Sequence, residues 1–512
     1  MKKLPALLTT LVAANSIFAA DLSWNGKFND SKEYNSNIVR IDKDGVWSPN
    51  QKPTAADNID ISYDYNSSSG QNFSSVITGE TSITANNMTY NLKNVVFSDQ
   101  NQWDNFNSLL LLGSNARLDL SGNLEINIQK SSSFSGGYIW TRINSYGNSA
   151  ISVGGDLIVN SDVENNFRFS QEGIQSGQVS GFDVYIGGNL VNKGNTNFIF
   201  SNYYSTVDGV VQSGTGMLNL AATPIDVTGN APVDSVKMTF GGIEGTGSIL
   251  ITKQYKSDLT SSREAYNAAP VYLTFTNSGT SAFKGALLTT DNNTGKLNIR
   301  MAGAENSRQI LRITSSSTTS FYEAQSYSTK NVSNDGIGKV TVDSGRIDIG
   351  MFNGKSAGDI SLNGGKLSAI GLDSEVGTLA ANSLVWGAGT LVVDFSENGA
   401  DLLQLAGALS ILESATLEIS ASAADLLGWG ISEGSKYTII TFDPNSGISQ
   451  DDINSIKISA QSGIDAELVA ILDGSNNISG IGLQFVQVPE PSTFAAIFAL
   501  VAAFAAFKSK KR

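Results

Sequence analysis

The residues that could perform chemistry in this chain are restricted to carboxylates, lysines, arginines and tyrosines. The 512-residue sequence contains no histidine and no cysteine. Without histidine there is no Ser-His-Asp or Cys-His machinery and no His-ligated metal. Without cysteine there is no thiolate nucleophile, disulfide or Cys-ligated zinc. The familiar hydrolase triads and zinc sites are therefore excluded.

The acidic residues leave carbohydrate chemistry open. The 47 Asp and Glu residues could include a carboxylate pair for glycoside hydrolysis, but no local spacing singles one out. A pectate-lyase-like reaction would also need an Arg or Lys base, and the densest internal arginines are Arg300, Arg308 and Arg312. A solvated strand face explains them more simply. We assign no catalytic residue and keep a polysaccharide-acting enzyme as the alternative function.

Two segments have the composition of cation-binding loops. Segment 42–45 (DKDG) is similar to the start of a calcium loop, but Trp47 stands where the loop needs glycine and Pro53 where it needs a bidentate glutamate. Segment 291–295 (DNNTG) is typical of a turn. We predict no metal site and no cofactor, apart from weakly bound calcium.

Aromatic neighbours offer a route to glycan binding, because sugar rings stack on aromatic faces. Packing within strands and loops explains them more simply, and a regular Thr-x-Thr ladder that would favour ice binding is missing. A glycan- or ice-binding module is a further alternative. The pairs are Tyr63/Tyr65, Tyr203/Tyr204 and Phe321/Tyr322.

The net charge disfavours nucleic acid as a partner. The formal charge is −14, and six of the 33 basic residues lie at the two ends, so the remainder carries about −20. Neutralising phosphates requires clustered Lys and Arg. The charge favours solubility and cation association instead.

The two ends of the chain have the patterns of export signals. Residues 1–20 combine Lys2 and Lys3, an apolar run and small residues before Asp21, which is typical of a signal peptide. At the other end Val488, Pro489, Glu490 and Pro491 precede an apolar run. That run, 494–507, is followed by a basic cluster of Lys508, Lys510, Lys511 and Arg512.

The apolar run is a marginal membrane span. Its 14 residues make a helix of about 21 Å, against a hydrocarbon core of about 30 Å. The basic cluster predicts that its end stays in the cytoplasm, with residues 21–488 outside the inner membrane. We expect a short C-terminal transmembrane helix.

This tail resembles the PEP-CTERM sorting signal in all three parts and in their order. The resemblance implies recognition by an exosortase-type processing enzyme, an inner-membrane intermediate, and release to the cell surface or the exopolysaccharide matrix of a diderm bacterium. It covers only about the last 25 residues.

Between the ends lies an internal repeat. Segments 118–128, 151–161 and 184–194 align without gaps at a spacing of 33. Alternate positions are apolar, which predicts strands with one buried face. Each copy has a Gly-Asx turn followed by leucine, at Gly122 and Leu124, Gly155 and Leu157, Gly188 and Leu190.

Looser Gly-x-aliphatic steps follow at Gly216, Gly247, Gly345, Gly365 and Gly389. The last two spacings, 20 residues from Gly345 to Gly365 and 24 from Gly365 to Gly389, match single coils of a parallel β-solenoid, and 33 would be a coil with a loop insertion. We therefore predict an all-β fold, a parallel β-solenoid or β-helix. The alternative is a β-sandwich or meander in which each Gly-Asx is a hairpin turn.

Four stretches resemble autotransporter-type β-helical passengers: WNGKFND (24–30), segment 45–61, segment 384–420 and GSKYTIITF (434–442). No translocator barrel follows them, so an autotransporter export route is not implied. We divide the chain into a signal peptide (1–20), an N-terminal β region or cap (21–110), a repetitive solenoid (111–485) and the tail (486–512). The function we expect is an exported structural or adhesion protein, with exopolysaccharide as a possible ligand.

Overall fold

The structure is a computed structural model of the chain. It describes residues 21–24, 37–42, 46–49, 51–65, 73–95, 106–132, 138–145, 149–171, 182–194, 196–201, 205–207, 210–212, 219–220, 236–252, 271–290, 297–314, 321–322, 329–330, 332–333, 337–352, 355–412 and 414–488.

Three ladders of parallel strands build the molecule. The first ladder is the longest, and every neighbouring pair in it is parallel. Its strands are, in order, Asp21–Trp24, Asn58–Asp64, Asn87–Val95, Leu124–Lys130, Leu157–Ser161, Leu190–Asn192, Ile243–Thr252, Thr280–Thr290, Arg308–Ile313, Arg346–Met351, Lys366–Ala369, Thr390–Ser396, Thr416–Ser420 and Lys457–Ser459.

The second ladder contributes the strand that precedes most of these in the chain, and its pairs are also parallel. Its strands are Ser82–Ala85, Arg117–Leu120, Ser149–Val153, Phe182–Ile186, Asn219–Leu220, Val236–Phe240, Val271–Phe275, Leu297–Ala302, Ile337–Ser344, Asp359–Leu362, Ser383–Trp386 and Leu409–Ile411.

The third ladder completes the coil and is interrupted along the molecule. Its first part joins the end of Ile243–Thr252, and its second part begins further along the chain. The strands are Asn37–Arg40, Phe73–Ile77, Phe106–Leu112, Tyr138–Ser145, Glu164–Gln171 and Thr196–Ser201, then Thr378–Ala381, Leu402–Leu405 and Lys436–Thr441.

The 33-residue repeat is one coil of a parallel β-solenoid. Leu157 is the register partner of both Leu124 and Leu190, and all three are buried. Ile151 likewise lies between Leu118 and Val184. Equivalent residues therefore stack on one another one coil apart, and the solenoid prediction is confirmed. The sandwich alternative is wrong, because hairpins would have paired these strands antiparallel.

The Gly-Asx turns form a hydrogen-bonded stack of their own. The amide of Gly155 donates to Gly122 O, and that of Gly188 to Gly155 O, both at 2.8 Å. Beside them, Asn123 Oδ1 accepts from Asp156 N at 2.8 Å. A Cβ on Gly155 would lie 2.1 Å from that Oδ1 atom. Each turn therefore needs glycine, because the Asx side chain of the preceding coil fills the space.

The later glycine steps agree with the solenoid in part. Lys366 N donates to Gly345 O, and Thr390 N donates to Gly365 O, so the spacings of 20 and 24 are single coils. Gly247 does not occupy the turn: Gly241 stacks on Gly188 instead. Gly216 lies outside the described residues.

One hydrophobic core runs along the interior of the coils. Period-two alternation sends every second strand residue inward, and strands buried on both faces add further apolar positions. The described strands of 21–110 pair in the same ladders as those of 111–485. Stretch 384–420 supplies strands to all three ladders, and 434–442 supplies Lys436–Thr441.

The solenoid ends in an antiparallel hairpin. Strand Ile478–Gln487 pairs with both Lys436–Thr441 and Asp465–Leu472. Two short helices, Ala423–Gly428 and Gln450–Ser455, begin with serine capping boxes, and Pro444–Ser446 is a 3-10 turn. The remaining short strands are antiparallel: Trp47–Ser48, Ser205–Val207, Val210–Gln212, Phe321–Tyr322, Thr329–Lys330, Val332–Ser333 and Gly399–Ala400.

Candidate functional site

The candidate site is a cluster of ionisable side chains on the outer face of the first ladder. In Arg346–Met351, Ile347 and Ile349 face the core, so alternation places Arg346 and Asp348 on the opposite face. Arg308 is the register partner of Arg346 in the preceding coil. Stacked coils thus bring together side chains that lie 40 residues apart in the chain.

Asp348 lies at the centre of this cluster and is fully buried. Its Oδ2 accepts from Arg308 Nε at 2.5 Å, and its Oδ1 accepts from Arg346 Nε at 2.7 Å. Burial raises the pKa of the Asp348 carboxyl, while the two guanidinium groups act against that rise. Arg346 also reaches Asp394 Oδ2 at 3.0 Å. The carboxylates are therefore engaged by arginines rather than free to attack a substrate.

A loop after Lys366–Ala369 packs on the same arginines. Arg312 donates from Nε to Gly371 O at 3.2 Å and forms an ion pair with Glu375 at 2.7 Å. Lys284 pairs with Asp373 at 2.5 Å. Residues 371–375 thus form a strap across several coils, held by basic residues of earlier coils.

Asp401 adds a second buried carboxyl beside this cluster. It is 3% exposed and accepts hydrogen bonds from the amides of Gly377 and Asp394 at 2.9 and 3.0 Å. The small cavity next to it has a volume of about 10 Å³. That volume corresponds to one water molecule, so this cavity does not admit a sugar ring.

The predicted arginines do not form one group. Arg308 and Arg312 belong to the cluster and its strap, whereas Arg300 lies on the second ladder and pairs with Asp343 at 2.6 Å. The bonds from Asn363 and Arg300 outweigh burial and lower the pKa of Asp343. Each of the three arginines holds a carboxylate that belongs to a later coil.

Of the first cation-loop candidate, Asp42 is described, and it is buried. Its carboxylate accepts from Arg40 Nη2 at 3.2 Å, from Thr78 N at 3.3 Å and from the Thr78 hydroxyl. Residues 43–45 and segment 291–295 lie outside the described residues. Among the residues that the structure describes, no group of three or more acidic side chains is placed to hold a metal ion.

Of the three predicted aromatic pairs, the structure describes the side chains of Tyr63/Tyr65. Tyr63 and Tyr65 pack edge to face, with ring centroids 4.8 Å apart, and Tyr63 is buried. Tyr203 and Tyr204, and the side chains of Phe321 and Tyr322, lie outside the described part of the chain. The Tyr63 ring is accordingly a packing element, as the simpler interpretation held.

Of the sorting motif, Val488 is described and buried. Pro489, Glu490, Pro491, the run 494–507 and the basic cluster lie beyond the described residues, as does the signal segment 1–20. Across residues 21–488, so far as the structure describes them, no helix has both the length and the apolar character to cross a membrane.

Sequence reasoning did not identify Asp348, Ser368, Asp394 or Asp401 as a group. The local signal at Asp348, Ser368 and Asp394 is a polar residue within an apolar strand, whereas Asp401 stands between two strands. Their proximity arises from coil stacking. Comparisons with family models, curated proteins and solved structures found no match to this chain.

Proposed function

We propose that the chain is an exported structural or adhesion protein of a diderm bacterial surface or exopolysaccharide matrix, sorted by a PEP-CTERM-type tail. Residues 1–20 direct export, and an exosortase-type enzyme acts on the tail 486–512. The segment 494–507 holds the intermediate in the inner membrane. The body between the ends is the functional part, an elongated scaffold.

The observation that supports this proposal most is the stacked solenoid with its engaged charges. Parallel coils present long, regular outer faces suited to extended partners. In the cluster that most resembles a catalytic constellation, the carboxylates are buried beneath arginines and a strap. A scaffold accounts for such an arrangement better than an enzyme, whose acids must reach the substrate.

The test is localisation of three forms in the native host. We expect the full chain at the surface or in the matrix, and a form lacking 489–512 released or held in the periplasm. A matched control replaces Pro489, Glu490 and Pro491 with alanine and keeps the apolar run and basic cluster. It should remain in the inner membrane. Surface display of the truncated form at the level of the full chain would contradict the sorting proposal.

The scaffold role is tested separately, with a glycan array and product analysis on residues 21–488. Retention of a matrix polysaccharide without cleavage is the expected result. Release of shortened saccharides would favour the enzyme alternative instead.

A further inference from the structure

The oxygen atoms of Asp401, Ser368 and Asp394 form a buried chain of two contacts. Ser368 Oγ lies 3.2 Å from Asp401 Oδ2 and 2.8 Å from Asp394 Oδ2. Ser368 is fully buried. Both contacts lie within or close to hydrogen-bond distance, so each needs a hydrogen atom between its two oxygens.

The serine supplies only one of these hydrogens. A hydroxyl carries a single O–H donor, and an ionised carboxylate is an acceptor only. Arg346 donates to Asp394 Oδ2 at 3.0 Å, but that hydrogen lies outside the chain of three oxygens. If both carboxyls were ionised, one of the two contacts would place two acceptor oxygens against each other with no hydrogen between them. The second hydrogen must therefore be an acid proton.

The surroundings decide which carboxyl carries it. Asp394 already has a cationic partner, the guanidinium of Arg346, at 3.0 Å. Asp401 faces two backbone amides and an apolar lining that includes Leu379, Leu391, Leu403 and Ile439. No cation of the described residues is paired with it. Burial without a counterion favours the neutral form of an acid.

We propose that Asp401 is a buried proton-binding site, whose O–H donates to Ser368 at neutral pH while the Ser368 hydroxyl donates to Asp394. Burial raises the pKa of Asp401 to about 8, against the lowering by the Gly377 and Asp394 amides, and the Asp394 carboxylate adds to the rise. The charged groups facing it are Asp394 and, behind that residue, Arg346 and Asp348.

Release of the proton to solvent removes one hydrogen from the chain. The Asp401 and Asp394 carboxylates then compete for the single serine hydrogen, which loosens the junction of 377, 394 and 401. The pKa of Asp401 in the folded protein exceeds its unfolded value of about 3.9. The stabilisation that the bound proton gives to the folded state is therefore complete only below the unfolded value. It is lost as pH rises to the folded pKa, about 8. Between these two pKa values, the equilibrium constant for the local opening that exposes Asp401 should rise by up to about tenfold per pH unit.

The first test is hydrogen exchange at the amides of Gly377 and Asp394 from pH 5 to pH 9, corrected for intrinsic rates. In the full chain the opening constant should rise with pH and level off near pH 8. Asp401→Asn carries no acid proton and should show a flat profile, whatever its absolute stability. Asp359→Asn removes an exposed carboxylate of the second ladder and should follow the full chain. Equal pH profiles for the full chain and Asp401→Asn would overturn the proposal.

A second measurement needs no folded variant. Infrared difference spectra of the full chain with ¹³C-labelled aspartate should show a protonated carboxyl band at pH 7 that disappears with a midpoint near pH 8. Where Asp401→Asn folds, that band should be missing from its spectrum. A full-chain spectrum at pH 7 without any protonated aspartate band would equally overturn the proposal.

Discussion

The side-chain amide of Gln309 pairs with both backbone polar groups of Ile243, a residue 66 positions earlier in the chain. Gln309 Oε1 accepts from Ile243 N, and Gln309 Nε2 donates to Ile243 O, each at 3.0 Å. Both residues are fully buried. Ile243 keeps Leu190 of the preceding coil as its register partner. The inward-facing Gln309 side chain bonds the amide and carbonyl of Ile243 from the other direction and passes the small Ser281 of the intervening coil.

Replacing Gln309 with leucine should destabilise these coils strongly. The substitution keeps approximate volume but leaves the amide and carbonyl of Ile243 buried without partners, at about 1–3 kcal/mol for each. We expect a total loss of about 2–6 kcal/mol and faster hydrogen exchange in 236–252 and 280–313. Gln404→Leu, at an exposed strand position, is the control and should leave exchange there unchanged. A small effect from Gln309→Leu would mean that Ile243 finds other partners.

Leu157→Ala should produce a loss confined to neighbouring coils. The side chain stacks between Leu124 and Leu190, so truncation leaves a cavity that costs about 2–5 kcal/mol. Solenoid stability is a sum of nearest-neighbour contributions. Hydrogen exchange should accelerate in 118–194 while 340–420 stays protected. Equal loosening of both segments would show that the coils unfold as one cooperative unit.

Gly155→Ala should destabilise the coil turn, because the added Cβ would clash with a side-chain oxygen and lie close to the Gly122 backbone. The added Cβ would meet Asn123 Oδ1 at 2.1 Å. We expect a loss of about 1–3 kcal/mol, as for overpacking in a tight interior. Gly279→Ala is the control, because a Cβ there meets nothing within 4 Å.

The cause of the Gly155→Ala effect can be checked with a second substitution. Asn123→Ala removes the clashing oxygen but also the acceptor of Asp156 N. In a double-mutant cycle measured by chemical denaturation, the two changes should therefore cost less together than the sum of their separate effects. Simple additivity would place the strain elsewhere.

Acid should weaken the N-terminal coils through Asp42. Burial would raise its pKa, but hydrogen bonds from Thr78 and Arg40 outweigh burial, and the net shift is downward. A depressed folded pKa gives stabilisation that is present above the unfolded value of about 3.9 and is lost as pH falls through the folded pKa. Asp42→Asn should therefore be less stable at pH 7, and the difference from the unaltered chain should shrink towards pH 3, as measured by exchange in 37–78. A constant difference would contradict the assignment.

Period-two alternation and glycine spacing were sufficient to predict the coil. Leu124, Leu157 and Leu190 occupy one slot in the sequence and one column in the structure because both patterns are local and repeat. Gly247 was misplaced because 33-residue regularity ends after Gly188, and Gly241 takes the turn. Spacing alone does not distinguish a turn glycine from one within a strand.

The candidate cluster was not predictable in the same way. Asp348 is buried on the outer face because Arg308 comes from another coil. Asp401 is buried because Ser368 and Gly377 converge on it. These contacts depend on how many residues each coil contains. A local pattern of apolar residues does not determine that number.

The Asx side chain in each turn also has a consequence for how such a chain can lengthen. The Asn123 side chain accepts from the backbone amide of Asp156, and the Asp156 side chain accepts in the same way from the amide of Asn189. The junctions between these three copies are therefore equivalent. A tandem gene duplication of one 33-codon unit would insert a coil whose two junctions are copies of existing ones. Each added coil would lengthen the solenoid by about 4.8 Å. We therefore expect the length of the solenoid to be the property that recombination changes most easily in this protein.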